Sequence, residues 1–284
     1  MSERVLIVGA GQVGRGLYRA FQSSGTKVLG LHARRPSAHA TSSGPLPLSL
    51  SNANAVVVAV RDNQIDDVLA SLINSLGSRG GLSTGSVVVH TSGSAEPGLL
   101  QQLPEYGLCG GTFHPLVPFA NPDRASALLK HGWVGIDGDD QARATSRRLA
   151  GALGARTIEI PPGGKAAYHA AAVISSNFPI VLAALANDLL ASLGVPQRSA
   201  QQAVHALMAA AVSNIEETSP ADALTGPMVR GDVDAVVGHL AALRDHPDAR
   251  GVYKRLALAA LPLAAERGVE AATLAEMQRA LLLR

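Results

Sequence analysis

The sequence predicts an α/β fold, a doubly wound and mostly parallel sheet followed by an all-helical region. Three observations carry this. Short apolar runs alternate with helix-periodic segments as far as residue 160. Two of those runs, Ala55–Val60 and the Val87-Val88-Val89 stretch, lack the polar alternation of a half-exposed strand, as expected for strands covered on both faces. Beyond Pro161-Pro162-Gly163-Gly164 the strand period ends and only helical spacing remains. The expected domains are therefore 1–160 and 161–284.

The elements follow in order. Arg4-Val5-Leu6-Ile7-Val8 is a short apolar strand. Gly9-Ala10-Gly11-Gln12-Val13-Gly14 comes next, and Leu17, Ala20 and Phe21 continue at helical spacing. G-x-G-x-x-G between a strand and a helix is the dinucleotide-binding turn of a Rossmann fold. Gly9 makes the tight turn, Gly11 admits a pyrophosphate close to the backbone, and Gly14 lets the helix pack on the strand. Gln12 and Val13 supply N–H groups at the positive end of the helix.

The second strand, Lys27-Val28-Leu29-Gly30-Leu31, leads to Arg34, Arg35 and Ser37. A site for NAD places an acid about 20 residues past the glycines. Here no Asp or Glu occurs between Glu3 and Asp62. Two guanidinium forks and a hydroxyl suit a 2′-phosphate, so the expected cofactor is NADP(H).

Further strands are expected at Ala55–Val60, Ser86–His90, Leu108–Phe113, Trp133–Ile136 and Arg156–Ile160, with helices at 65–76 and 139–153. The Arg35–Pro47 loop, rich in Ser, Pro and Ala, is expected to be mobile. Strand ends face the ligand crevice of such a sheet. Val60, Arg61, Thr91 and Ser92 are accordingly expected at the cofactor, and Ser92, Gly93 and His114 at the substrate. Helices are expected over 165–193, 196–216, 232–243, 246–267 and 272–283.

Lys165, His169 and Ser176 fall within about 40° of one another on a helical wheel, with small Ala172 between them. Asn177 follows, and Pro179 should kink the helix there. This polar stripe after the domain junction is the expected catalytic face: Lys165, His169 and Asn177 as catalytic groups, Ser176 toward the substrate. Thr225 and Arg230 lie in a Gly-Pro turn ahead of Asp232, which is placed to cap a helix; Arg230 is a candidate for a substrate carboxylate.

Composition narrows the classes. Hydrophobic residues make up 47%, as in a globular protein, and the net charge of +2 argues against a nucleic-acid surface. The single Cys109 excludes an intramolecular disulfide and fits a reducing, cytoplasmic setting. The strand starting at residue 4 leaves no room for a signal peptide, and the apolar stretch Ala170–Ala186 is interrupted by polar residues and Pro179, so no membrane span is expected. No metal cluster is expected.

Taken together, the glycine turn, Thr91-Ser92-Gly93, His114-Pro115-Leu116, Lys165 to Asn177 and Thr225-Gly226-Pro227 to Asp232 resemble the blocks of a known group. The chain resembles the 6-phosphogluconate-dehydrogenase-like superfamily, which includes 3-hydroxyacid dehydrogenases, ketopantoate reductases and pyrroline-5-carboxylate reductases. More closely, it resembles the Rossmann-like family with a helical C-terminal domain of unknown function. The resemblance implies an NADP-dependent oxidoreductase acting on a small molecule, with a helical domain for substrate and homodimerisation. It implies hydride transfer to a small, ketopantoate-like 2-oxo acid at the domain junction. The alternatives are an imine reductase of the pyrroline-carboxylate type and a non-catalytic NADP(H) sensor or scaffold. The hydroxyacid enzymes carry Lys-x-x-x-Asn on this helix; Lys165 matches, but the fourth residue on is His169.

Overall fold

The computed structural model describes residues 3–96 and 98–283. The chain divides into two compact units, Met1–Ser176 and Asn177–Arg284. The division falls past the Pro-Pro-Gly-Gly break, so the first turns of the expected helical half belong with the sheet.

In the first unit, β1 (Arg4–Val8), α1 (Gln12–Ser23), β2 (Lys27–Ala33) and β3 (Ser42–Ser43) come first. β4 (Ala55–Val58), α2 (Ile65–Asn74), β5 (Val87–His90) and β6 (Cys109–Pro115) follow. Then come α3 (Ala125–Leu129), β7 (Trp133–Gly138), α4 (Asp140–Ala152), β8 (Arg156–Glu159) and α5 (Lys165–Ser176). The strands form one sheet in the order β3-β2-β1-β4-β5-β6-β7-β8. All neighbours are parallel except β6 and β7, which run antiparallel with His114 opposite Gly135.

The alternation of side chains explains why these strands lack a polar face. Val5, Ile7, Val57, Val89, Phe113 and Ile136 pack on one side with Leu17, Phe21 and Leu149. Leu6, Val8, Val56, Val58 and Val88 pack on the other with Ile65, Leu69 and Leu72. Each such side chain, fully buried, contributes about 1.5–3 kcal/mol, so both faces of the sheet must be covered. Asp139 anchors α4: one carboxylate oxygen caps Ala142 N at 2.8 Å and the other accepts Gly110 N at 2.7 Å.

The loop expected to be mobile is tied to β2. Thr41 Oγ1 accepts Leu31 N at 2.9 Å, and His32 bridges Ser42 Oγ and Gly44 O at 3.0 and 3.1 Å. These contacts create β3, which two residues in a Ser-rich stretch do not announce in the sequence.

The second unit comprises α6 (Phe178–Ser192), α7 (Gln197–Glu217), α8 (Pro220–Ala223), α9 (Pro227–Arg230), α10 (Val233–Ala242), α11 (Pro247–Glu266) and α12 (Ala271–Leu282). Its core is Met228, Val236, Leu240, Ala257, Met277 and Leu281. Asp232 caps α10 through Ala235 N at 3.0 Å, as its position implied. The single helix expected over 165–193 is interrupted at Asn177, two residues before Pro179. Lys165–Ser192 is nonetheless long and apolar enough, by length and composition, to cross a membrane.

Candidate active site

The glycine turn has the geometry its motif requires. Gly9 sits at φ +118°, and a Cβ there would lie 2.2 Å from Ala59 O. A Cβ on Gly14 would lie 1.8 Å from Gly9 O, while Gly11 faces open space. The turn lines a cleft of about 700 Å³ with Gln12, Val13, Arg34, Arg35, Val60, Arg61 and Thr91. Arg34, Arg35 and Arg61 are exposed. Among the described residues none of the three guanidiniums is in an ion pair, so the cleft carries free positive charge. A second cavity, about 490 Å³ and mostly apolar, shares Gly9, Arg34, Val60 and Gln64 with it and extends to Leu46 and Val68.

Two expected members stand apart from the cleft. Ser37 Oγ accepts His39 N at 3.3 Å inside its own loop and is not part of the lining. Ser92 is buried, and its hydroxyl accepts Ser94 N at 3.3 Å and Ala95 N at 2.9 Å. Both bonds shape the turn after β5 through the oxygen, and the hydroxyl's own hydrogen has no acceptor among the described residues.

That turn places Gly93 against two imidazoles. A Cβ on Gly93 would lie 2.7 Å from His169 Nδ1 and 2.9 Å from His114 Nε2. The His114 and His169 rings meet edge to face, with centroids 5.8 Å apart. Burial, with the neighbouring His169 second, pushes the His114 pKa down from 6.5 to about 4. His114 Nδ1 lies 2.8 Å from the Tyr168 hydroxyl. Burial raises the pKa of the Tyr168 hydroxyl. Gly135 has no room for a side chain, because a Cβ would lie 2.1 Å from that oxygen.

Lys165 does not join this group. Only 5% of it is exposed. Its ammonium lies 3.1 Å from Asp137 Oδ2 and 2.9 Å from Ala95 O. The third neighbour is His90 Nε2 at 3.4 Å. His90 Nδ1 accepts Ser92 N at 3.2 Å, so the proton of the neutral ring is assigned to Nε2, which donates to Thr112 Oγ1 at 3.2 Å. Lysine and ring therefore face each other as two donors. Burial first, and this ammonium second, push the His90 pKa down to about 4. Lys165 opens on another cavity, of about 340 Å³, lined by Asp137, Arg143 and Pro161–Gly163.

The wheel argument placed Ser176 with Lys165, but eleven residues of helix separate them by about 16 Å along the axis. Ser176 is exposed at the end of α5. Asn177, Thr225 and Arg230 belong to the second unit; Arg230 is exposed, with Asp232 Oδ2 at 4.0 Å. Tyr168, Asp137 and Gly135 are the residues that sequence reasoning missed. The only signal was indirect: Gly135 is an isolated glycine inside a strand, which often marks a close approach.

This mostly parallel sheet with a glycine turn at the start of α1 defines the class: a Rossmann-type protein. Residues 2–115 match the model of a Rossmann-like domain, and residues 133–260 match that of a domain of unknown function, DUF2520. The chain thus carries a Rossmann-like domain followed by a DUF2520 domain. No curated protein matches it. Among solved structures, a Bacteroides fragilis protein provisionally assigned as an NADP oxidoreductase is 21% identical, with 92% of this chain and 98% of that one covered and a TM-score of 0.71. A Thermotoga maritima protein is 22% identical, with 93% and 100% covered and a TM-score of 0.70. Pyrroline carboxylate reductase from Plasmodium falciparum, solved with NADP bound, is 14% identical, with 97% and 98% covered and a TM-score of 0.60. Identities this low speak for the fold.

Proposed function

We propose that the protein is an NADP(H)-dependent reductase of a small carbonyl compound, in the first place a 2-oxo acid. The observation that carries the reading is the glycine cleft with its three unpaired arginines and no acid at the ribose position. The residues fit the cofactor. Gly11 leaves the backbone open to a pyrophosphate, and the N-terminus of α1 supplies N–H groups. Arg34 and Arg35 suit a 2′-phosphate, and the adjoining apolar cavity suits an adenine. NADPH supplies a hydride. The chain's own contribution is the group of half-buried polar residues around Gly93 (His114, Tyr168 and His169), which orients the substrate and provides the proton that reduction consumes.

A second reading, reduction of a protonated cyclic imine, has one observation in its favour. Lys165 is paired with Asp137, whereas Asp62, whose carboxylate accepts Ser94 Oγ at 3.4 Å next to Gly93, is in no ion pair among the described residues. That balance suits a cationic substrate better than an anionic one. It also agrees with the nature of the pyrroline carboxylate reductase among the structural neighbours.

NADPH oxidation followed at 340 nm with a panel of 2-oxo acids and cyclic imines tests both. Turnover of a 2-oxo acid supports the first reading and turnover of an imine the second. Tight NADPH binding without turnover of either leaves a nucleotide-binding sensor.

A further inference from the structure

We propose that His32 is a positioning residue for the cofactor: it holds the Gly44–Leu46 wall of the adenine pocket, so that the nucleotide binds without first having to order that wall. The proposal rests on NADP(H) as the ligand and is independent of the substrate.

His32 is the next-to-last residue of β2, two positions before Arg34, and only 3% of it is exposed. It is bonded in three directions. Its carbonyl accepts Gly9 N of the glycine turn at 2.8 Å. Its Nε2 lies 3.1 Å from Gly44 O, and because a carbonyl oxygen only accepts, that nitrogen carries the ring proton. In the neutral ring Nδ1 then accepts the Ser42 hydroxyl at 3.0 Å. Burial lowers the His32 pKa from 6.5, which keeps the ring neutral at pH 7.5.

These bonds act on the apolar cavity of about 490 Å³ beside the glycine cleft. Val60, Asp67, Val68 and Ser71 line it from β4 onward into α2, and Gly44, Pro45 and Leu46 line it from the loop. The α2 side is fixed by Leu69 and Leu72 in the core. The loop side has less to fix it. Leu46 packs on the core only half-buried, and Pro45 is exposed. Apart from the Gly44 N bond to Ala33 O at 3.0 Å, the ring of His32 makes the ties at Ser42 and Gly44 that lead into this wall. Without the ring donor, Gly44 O loses its partner, and binding must order the wall at a cost in affinity. Arg34 and Arg35 distinguish the two cofactors by charge; His32 acts on the half they share.

The test is titration of the full chain with NADPH, NADH and 2′,5′-ADP. His32→Phe keeps a flat ring and removes both nitrogens. His32→Gln keeps an N–H donor within reach of Gly44 O. His32→Phe should weaken all three ligands about tenfold, with the NADPH-to-NADH preference unchanged, and His32→Gln should recover most of the loss. Affinities of His32→Phe within about twofold of wild type overturn the proposal. So does a loss confined to NADPH, or a His32→Gln protein as weak as His32→Phe. Hydrogen exchange on the wild type decides the matter if His32→Phe does not fold: 2′,5′-ADP should slow exchange over residues 41–50, and unchanged exchange there overturns the proposal. A wild type that binds neither NADPH nor 2′,5′-ADP removes the cofactor and the proposal together, whereas binding that is indifferent to His32 removes the proposal alone.

Discussion

The Lys165 ammonium lies 3.1 Å from Asp137 Oδ2, in a pair whose lysine is almost wholly enclosed. The first residue of α5 thereby binds β7 through the charge that the sequence offers as a catalytic acid. A buried charge that loses its partner costs about 3–5 kcal/mol. Asp137→Asn should therefore destabilise the protein by that order, and Lys165→Met somewhat less, because Asp137 is partly exposed. The double variant should recover part of the loss in a urea-unfolding cycle. A stable Lys165→Met protein that binds NADPH but has lost more than about 100-fold in kcat would return Lys165 to the role of donor.

Gly93→Ala would push a methyl group to 2.7–2.9 Å from both imidazole rings. The strain should cost about 1–3 kcal/mol and displace His114. The readouts are a lower Tm and altered His114 and His169 ring signals. Gly135→Ala should act in the same way through Tyr168, whose oxygen lies 2.1 Å from the new Cβ.

Arg34→Ala and Arg35→Ala should each weaken NADPH binding about tenfold or more, the loss of a charge-assisted hydrogen bond of about 1.5–3 kcal/mol. NADH affinity should hardly change. Equal losses for the two cofactors in a titration of nicotinamide fluorescence would contradict the 2′-phosphate assignment.

His90 and His114 both have a pKa near 4 in the fold against 6.5 in the unfolded chain. As the pH falls below 6.5 the unfolded chain binds protons first, so stability is complete above that value and declines toward pH 4. Each histidine contributes a slope approaching about 1.4 kcal/mol per pH unit within the window. Lys165, Asp137, Asp62 and His169 act on them, and His114 acts on His90. Urea midpoints at pH 7.5, 5.5 and 4.5 should fall in that order, and His114→Gln should flatten the decline. A midpoint constant from pH 7.5 to 4.5 contradicts the prediction.

The second unit leaves Ile180 70% and Val212 59% exposed, lining an apolar groove of about 570 Å³ between α6 and α7. We propose that this face pairs with a second copy of the chain. Light scattering should give twice 29.1 kDa at micromolar concentration. Ile180→Lys should shift the mass toward the monomer.

Local pattern determined much of this protein. The doubly wound sheet, the glycine turn, Arg34 and Arg35 in the cleft beside it and the Asp232 cap were legible because each depends on neighbours within a few residues, or on the two-residue and 3.6-residue periods. The fate of individual polar side chains was not. Lys165 and His169 share a helix face, yet one bonds Asp137 and the other meets Gly93 and His114. Ser92 reads as a free hydroxyl, and its oxygen accepts two N–H groups of its own turn. Tyr168 gains its partner only because β7 runs antiparallel to β6 and sets Gly135 opposite His114. A hydrogen bond requires two groups within about 3 Å, and residues 54 positions apart in the chain come that close only through the register of the sheet.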